Sequence, residues 1–190
     1  MVNNPTDQSG MAAKRGASAV VVRREAPGDA AEIGRINDAA FGGTTEARIV
    51  EGIRGTDRWI EGGSLIAEDE DGRLVGHLLL SEGDLVDDAG SVRRIWMIGP
   101  VAVLPDAQRH GVGSALMRTA IRLATERGQP LLCLLGHADY YPRFGFEPAR
   151  AIGIEPPQPW PDKSWLALRL PAWQPDLRGV AGFAPAFGAG

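Results

Sequence analysis

The chain has 190 residues, 44% hydrophobic and 23% charged, with a formal net charge of −4. That length suits one well-filled core and falls short of two, while the acidic balance and the scarcity of lysine, only Lys14 and Lys163, disfavour nucleic-acid binding. Cys133 is the single cysteine, so no intrachain disulfide forms; with no apolar block in residues 1–18, a cytoplasmic protein without membrane association is expected.

Residues 1–18, rich in Asn, Ser and Gly, are expected to be a disordered tail ahead of a single domain over residues 19–190. Val20-Val21-Val22-Arg23-Arg24 reads as a first strand. Asp29-Ala30-Ala31-Glu32 has the form of a capping box and predicts a helix with Ile33, Ile36 and Ala40 on one face; a second helix carries Ala47, Ile49, Val50 and Ile53. Leu65-Ile66-Ala67 and residues 74–80 flank Asp71-Gly72 as a hairpin, and a turn at Asp88-Ala89-Gly90 leads into a strand over residues 92–103. Residues 114–127 hold Leu116, Ile121, Leu123 and Ala124 at helical spacing, stopped by Gly128 and Pro130. Residues 131–135 are apolar without alternation, which predicts a strand buried on both faces beside a parallel neighbour. A short helix over 139–144, an extended segment from Phe146 and a last strand over 165–170 follow, and residues 171–190 are expected to wrap the surface as a C-terminal extension. This order of elements predicts an α/β (α+β) fold, a mixed sheet with helices on both faces.

The chemistry concentrates where Val101-Ala102-Val103-Leu104-Pro105 empties through Gln108-Arg109-His110-Gly111-Val112-Gly113 into the helix. Glycines at 111 and 113 let a ligand approach the backbone, and the helix that follows points unpaired N–H groups and its positive dipole end at the same space. That is an anion cradle. A Walker loop would need Gly-Lys before Ser or Thr, and a dinucleotide fingerprint would need glycine where Leu116 stands.

The remaining pattern, Gln108 to Gly113 after Val-Ala-Val-Leu-Pro, resembles the acyl-coenzyme-A loop of the GNAT acetyltransferases. Tyr140-Tyr141-Pro142-Arg143-Phe144-Gly145-Phe146 resembles that family's Tyr-x-x-x-Gly-Phe segment, one helix and one strand downstream as the family requires. Residues 41–54, the run from Leu135 to Tyr141 and the tail Ala184-Pro185-Ala186-Phe187 extend the likeness to a YhbS-like branch over about residues 19–187.

The resemblance implies a GNAT fold, mostly antiparallel, with a splayed strand pair at the cofactor site, and transfer of an acetyl group from acetyl-CoA to an amine in a ternary complex. By that likeness, Val101 N–H holds the acetyl oxygen and Val103 the pantetheine arm, with Gly99-Pro100 as the bulge that frees them; Pro100 in any case has no N–H for a ladder. Gln108 shapes the turn, while Arg109, His110, Gly111, Val112, Gly113 and Ser114 supply backbone to the pyrophosphate. Tyr141 matches the tyrosine near the coenzyme sulfur and is the candidate general acid, also bordering the cofactor. Histone-type members carry Glu where this chain has Met97, so the base is open: Glu82 is taken as the candidate, with Glu46, Asp38 or loss of the amine proton through ordered water to bulk as alternatives. A non-catalytic acyl-CoA binding module would keep the glycines and need no Tyr141.

The other histidines and the cysteine lack ligand spacing, so no metal is expected; His77 reads as a buried structural residue, and His137 as either a loop residue or a contact to cofactor or substrate. Trp160, Trp165 and Trp173 are expected to cover a hydrophobic face or a homodimer contact. Residues 25–90 hold 16 acidic residues against 5 arginines, a balance of −11, while the rest holds 15 basic and 8 acidic residues, +7. A basic C-terminal half suits the coenzyme phosphates, and an acidic N-terminal half suits a small cationic amine as acceptor.

Overall fold

In the computed structural model, which describes residues 20–188, the chain begins with strand β1 (Val21–Arg24) and helices α1 (Ala30–Phe41) and α2 (Thr45–Ile53). Long strands β2 (Trp59–Glu68), β3 (Leu74–Val86) and β4 (Val92–Val103) form the meander, and helix α3 (Val112–Glu126) returns the chain to β5 (Leu131–Leu135). Two-residue strands β6 (Glu147–Pro148) and β7 (Ile154–Glu155) precede β8 (Trp165–Arg169) and β9 (Gly179–Gly182). The expected tail over residues 1–18 lies outside the described residues.

The strands join one mixed sheet in the order β1-β2-β3-β4-β5-β8-β6. Its pairs are antiparallel except β4 with β5 and β7 with β9. Helices α1 and α2 cover one face through Ile33, Val50 and Ile53 against Ile66 and Leu79; α3 covers the other through Leu116, Met117 and Ala120 against Leu65, Leu78 and Leu80. Two covered faces explain why Leu78, Leu79 and Leu80 are all buried although a strand turns alternate side chains to opposite sides. Strand β5 is likewise buried on both faces from Leu131 to Leu134, with β4 parallel on one edge and β8 antiparallel on the other.

Three local expectations are corrected. Asp29 makes no side-chain cap on α1; its carboxylate instead accepts from Arg23 and from the Ala26 amide, and the Arg23 hydrogen bond holds it below the usual carboxylate range. Residues 165–170 are not the last strand, because β9 pairs with β3 beyond the end of β2 and with β7. The C-terminal stretch is therefore woven into the fold, with Leu177, Ala181 and Ala184 buried. For the tryptophans the first of the two expected roles, cover of a hydrophobic face, is the one observed: Trp165 is fully buried and donates its indole N–H to the Ile154 carbonyl at 2.9 Å, while Trp160 and Trp173 pack on the same cluster.

His77 links the layers. Asn37 of α1 donates to the Ile33 carbonyl at 2.8 Å, so the same amide nitrogen, 3.1 Å from His77 Nδ1, donates there too, leaving His77 Nε2–H to donate to Ser64 Oγ at 3.0 Å. Burial, and secondarily the Arg54 charge, hold the imidazole down to about 3. Because an unfolded histidine takes up a proton below about 6.5, stability present at neutral pH should fall away as the pH drops from there toward 3. Urea unfolding at about pH 7.5 and pH 5 is expected to differ by on the order of 2 kcal/mol from this group, and His77→Gln should remove that share of the slope.

Candidate active site

The site begins where β4 and β5 part. Their parallel register runs from Trp96 opposite Leu132 to Ile98 opposite Leu134 and stops. On the other edge, Leu78 pairs with Val101 and Leu80 with Ile98, so Gly99 and Pro100 oppose the single residue Leu79. This is the expected bulge, and it contains a cis Gly99–Pro100 peptide. From Val101 onward the edge of β4 facing β5 has no strand beside it, while β5 ends at Leu135 and the Gly136 amide turns to the Ser164 carbonyl at 2.9 Å. A cleft opens between the strands.

One side of the cleft leads to the glycine turn. Gly111, the residue before α3, has φ +90°, a conformation that a side chain opposes, and its carbonyl accepts the first intrahelical bond from Ala115 at 2.9 Å. The amides of residues 112–114 precede that bond and point out of the helix end. Gln108 Nε2 ties the turn to the Val103 carbonyl at 3.1 Å. Arg109 is the one non-glycine among the described residues with positive φ, at 65°. A cavity of about 710 Å³ lies over this turn, bordered by Val101, Val103, Arg109, Gly113, Tyr140 and Arg143 among others.

Tyr140 and Tyr141 begin the segment across the cleft, with ring centroids 5.1 Å apart and edge-on. They point to different places. A β-carbon at Gly113 would lie 2.7 Å from the Tyr140 hydroxyl, so Tyr140 reaches the mouth of α3. Tyr141 lies against Gly136, where a β-carbon would come within 2.2 Å of its ring. Burial, followed by the neighbouring Tyr140, pushes the Tyr141 phenol up to about 12, so it carries its proton at neutral pH. Gly136→Ala must displace that ring. A fall in kcat of about tenfold at saturating acetyl donor is expected, because small misplacements of a reacting group are costly; an unchanged kcat would remove Tyr141 from the chemistry.

A second cavity, about 510 Å³, continues past Tyr141 between the end of the sheet, α2 and the C-terminal segment. Phe41, Val101, His137 and Tyr141 border both cavities and mark their junction. The second one is mainly apolar, with Trp160, Phe183 and Phe187 along a wall and Glu46 of α2 as its carboxylate. Phe187 lies close to Gly99, and Ala186 packs against Gly52 of α2.

Of the residues named from sequence, Val101, Val103, Gln108, Arg109, Gly111, Gly113, Ser114 and Tyr141 border the first cavity. The side chains of His110, exposed, and Val112, buried in the core, do not. Glu82 is corrected: it pairs with Trp96, three residues along β3 from the bulge, its carboxylate is 3.8 Å from Arg94, and it borders neither cavity. Asp38 also borders neither, and Met97 is fully buried. Sequence reasoning assigned no role to Arg143, whose guanidinium is 4.8 Å from the Tyr140 ring centroid beside the glycine turn; a basic residue inside the tyrosine motif was the available signal. It also assigned none to Trp160, Phe183 and Phe187 as a cavity wall, for which no local signal exists.

Part of the acidity of the N-terminal half is taken up in ion pairs, among them Asp29 and Glu68 with Arg23 and Asp84 with Arg58. Among the described residues no group of three or more His, Cys, Asp or Glu is arranged for a metal, and no helix is long and apolar enough to cross a membrane.

A mixed sheet splayed beside a glycine turn, with a tyrosine facing the gap, defines an acetyltransferase of the GNAT type. The chain belongs to that family: residues 21–149 match the sequence model of the Acetyltransferase (GNAT) domain. It is 35% identical over 155 residues to the uncharacterized N-acetyltransferase YjhQ of Escherichia coli (strain K12), covering 80% of this chain and 84% of that one. In fold it is similar to the Escherichia coli GNAT protein YhbS solved with CoA, at a TM-score of 0.81 and 24% identity over 91% of this chain and 94% of the other. A GNAT acetyltransferase from Brucella melitensis solved with acetyl-CoA matches at a TM-score of 0.72 and 28% identity, over 90% and 99% of the two chains.

Proposed function

We propose that this protein transfers the acetyl group of acetyl-CoA to the amine of a small molecule by direct attack within a ternary complex. The observation that carries the reading is the junction of two cavities at Val101 and Tyr141, one running to the glycine turn and the other to an apolar pocket. The relatives solved with CoA and acetyl-CoA support the choice of coenzyme.

In this mechanism the α3 amides, Arg109 and Arg143 hold the phosphates, and the free edge of β4 at Val103 holds the pantetheine arm. The uncharged amine attacks the thioester carbonyl carbon; negative charge forms on the carbonyl oxygen and is met by Val101 N–H. The C–S bond then breaks, and the sulfur takes a proton from the Tyr141 phenol, which its burial keeps protonated. The proton lost by the acceptor passes to Glu46, the carboxylate that borders the acceptor cavity, and returns to Tyr141 through solvent.

Calorimetric titration of acetyl-CoA, CoA and ATP tests the first half of this reading. Binding of both coenzymes and not ATP is expected, with free thiol released once an amine is supplied. Binding without thiol release from any amine would identify a non-catalytic acyl-CoA module, and no binding would end the reading altogether.

A cytoplasmic location and a homodimer belong to the same proposal. Val92, Val86 and Val180 form a row across three adjacent strands, exposed at 60%, 37% and 46%, and we assign the dimer contact to it. Sedimentation equilibrium tests the dimer, and cell fractionation the location.

A further inference from the structure

We infer that the acceptor is a singly charged amine with an aromatic or bulky apolar body, an aralkylamine in chemical class, rather than a polyamine or a hydroxylated amine. The inference rests on the transferase reading above and concerns the far cavity alone.

The wall of that cavity is continuous aromatic surface. Phe187 comes close to Gly99, next to the bulge where the acetyl group would lie. Phe183 stacks on it with centroids 4.6 Å apart, and Trp160 meets Phe183 edge-on at 6.0 Å. Pro157, Leu135 and Ile49 add further apolar lining. Apolar surface of this extent favours a ligand that buries carbon against it.

Charge sets the other limit. Glu46 borders the cavity and, among the described residues, no lysine, arginine or second carboxylate does. One ammonium can be paired there. A second positive charge would meet only the ring faces of Trp160, Phe183 and Phe187 and no carboxylate, and for several hydroxyl groups Gln158, His137 and Tyr141 are the few polar side chains that border the cavity. The side chain of Glu46 is the element that selects an amine over its neutral isostere, while the aromatic wall selects the body.

The C-terminal segment builds this wall. It is held in place because β9 pairs with β3 and β7, and because Ala186 packs against Gly52 of α2. Phe183 and Phe187 of the acceptor wall thus come from a part of the chain remote from both sequence motifs.

The test uses the full chain loaded with CoA, so that binding is read apart from turnover. Titration with 2-phenylethylamine is expected to change tryptophan fluorescence, with the change abolished in Trp160→Phe. With acetyl-CoA, thiol release should give kcat/KM for 2-phenylethylamine and tryptamine about tenfold or more above ethanolamine and spermidine, in the range that apolar pockets discriminate. Glu46→Gln should raise KM for 2-phenylethylamine about tenfold, as expected when one partner of a charge pair is removed, lower kcat as well because the acceptor's proton passes to the same carboxylate, and leave the Kd of the neutral 2-phenylethanol within about twofold. Phe183→Leu should weaken both ligands. Preference for spermidine or ethanolamine would overturn this inference and leave acetyl transfer standing. Binding of 2-phenylethylamine with no amine acetylated would uphold the pocket and overturn the transferase, and neither binding nor turnover of the aralkylamines would overturn the pocket.

Discussion

Tyr141→Phe is expected to lower kcat for acetyl transfer by about 100-fold or more while the Kd for acetyl-CoA stays within about twofold. The ring remains to border both cavities and to pack on Phe146, 5.9 Å away between centroids, so the cleft keeps its shape. What disappears is the proton for the departing sulfur. A thiolate leaving without it carries full charge into a site lined by Phe41, Val101 and the Tyr140 ring, where no cation compensates from the acceptor side. The phenol titrates near 12, so the wild-type rate should show no loss from this group across the neutral range, and the loss in the variant should be independent of pH there. Tyr140→Phe is the matching control: its hydroxyl sits over Gly113 at the turn, so it should change coenzyme affinity and spare kcat. An exchange of these two outcomes would reassign the acid to Tyr140.

Gly111→Glu should raise the Kd for acetyl-CoA by about 100-fold or more, through charge and strain together. A carboxylate would stand at the end of α3 where the phosphates are to be held, against the same dipole and amides that favour them. The backbone there has φ +90°, which adds a penalty on the order of 1 kcal/mol for a residue with a side chain. No heavy atom lies within 4 Å of the new β-carbon, so the fold should survive, and an unchanged far-UV circular dichroism spectrum would establish that. Gly111→Asn carries much of the strain without the charge. A loss of only a few fold in that variant would attribute most of the effect to electrostatics, and equal losses would attribute it to the backbone.

The correction at Glu82 illustrates what a strand hides from its sequence. Three residues along β3 cover about 10 Å, and the position of the bulge on β4 decides which of them faces the reaction. Glu82 lies past that point, beside Arg94, whereas Glu46 reaches the cavity from a separate helix. Asp29 differs for a related reason: a capping box is legible in four consecutive residues, but Arg23 on β1 competes for the same carboxylate and wins with two hydrogen bonds. The short Gly179–Gly182 strand has no pattern of its own and exists because β3 outruns β2, leaving a free edge from Asp84 to Val86 for it to pair with.

By itself, the sequence determined whatever depends on neighbours along the chain. The order of strands and helices as far as β5, the turn with glycine at 111 and 113 and the kink at Pro100 follow from period, turn chemistry and missing N–H groups within a few residues, and the tyrosine segment was legible through its resemblance to the family motif. Only the tertiary structure decided how Tyr141 differs from Tyr140, that Arg143 stands at the turn, that Glu46 borders the second cavity, and that Trp160, Phe183 and Phe187 form one wall. These placements depend on strand register and on which edge remains unpaired, and contacts between residues tens of positions apart, such as Tyr140 with Gly113 or Trp160 with Phe183, leave no periodic trace in the chain that makes them.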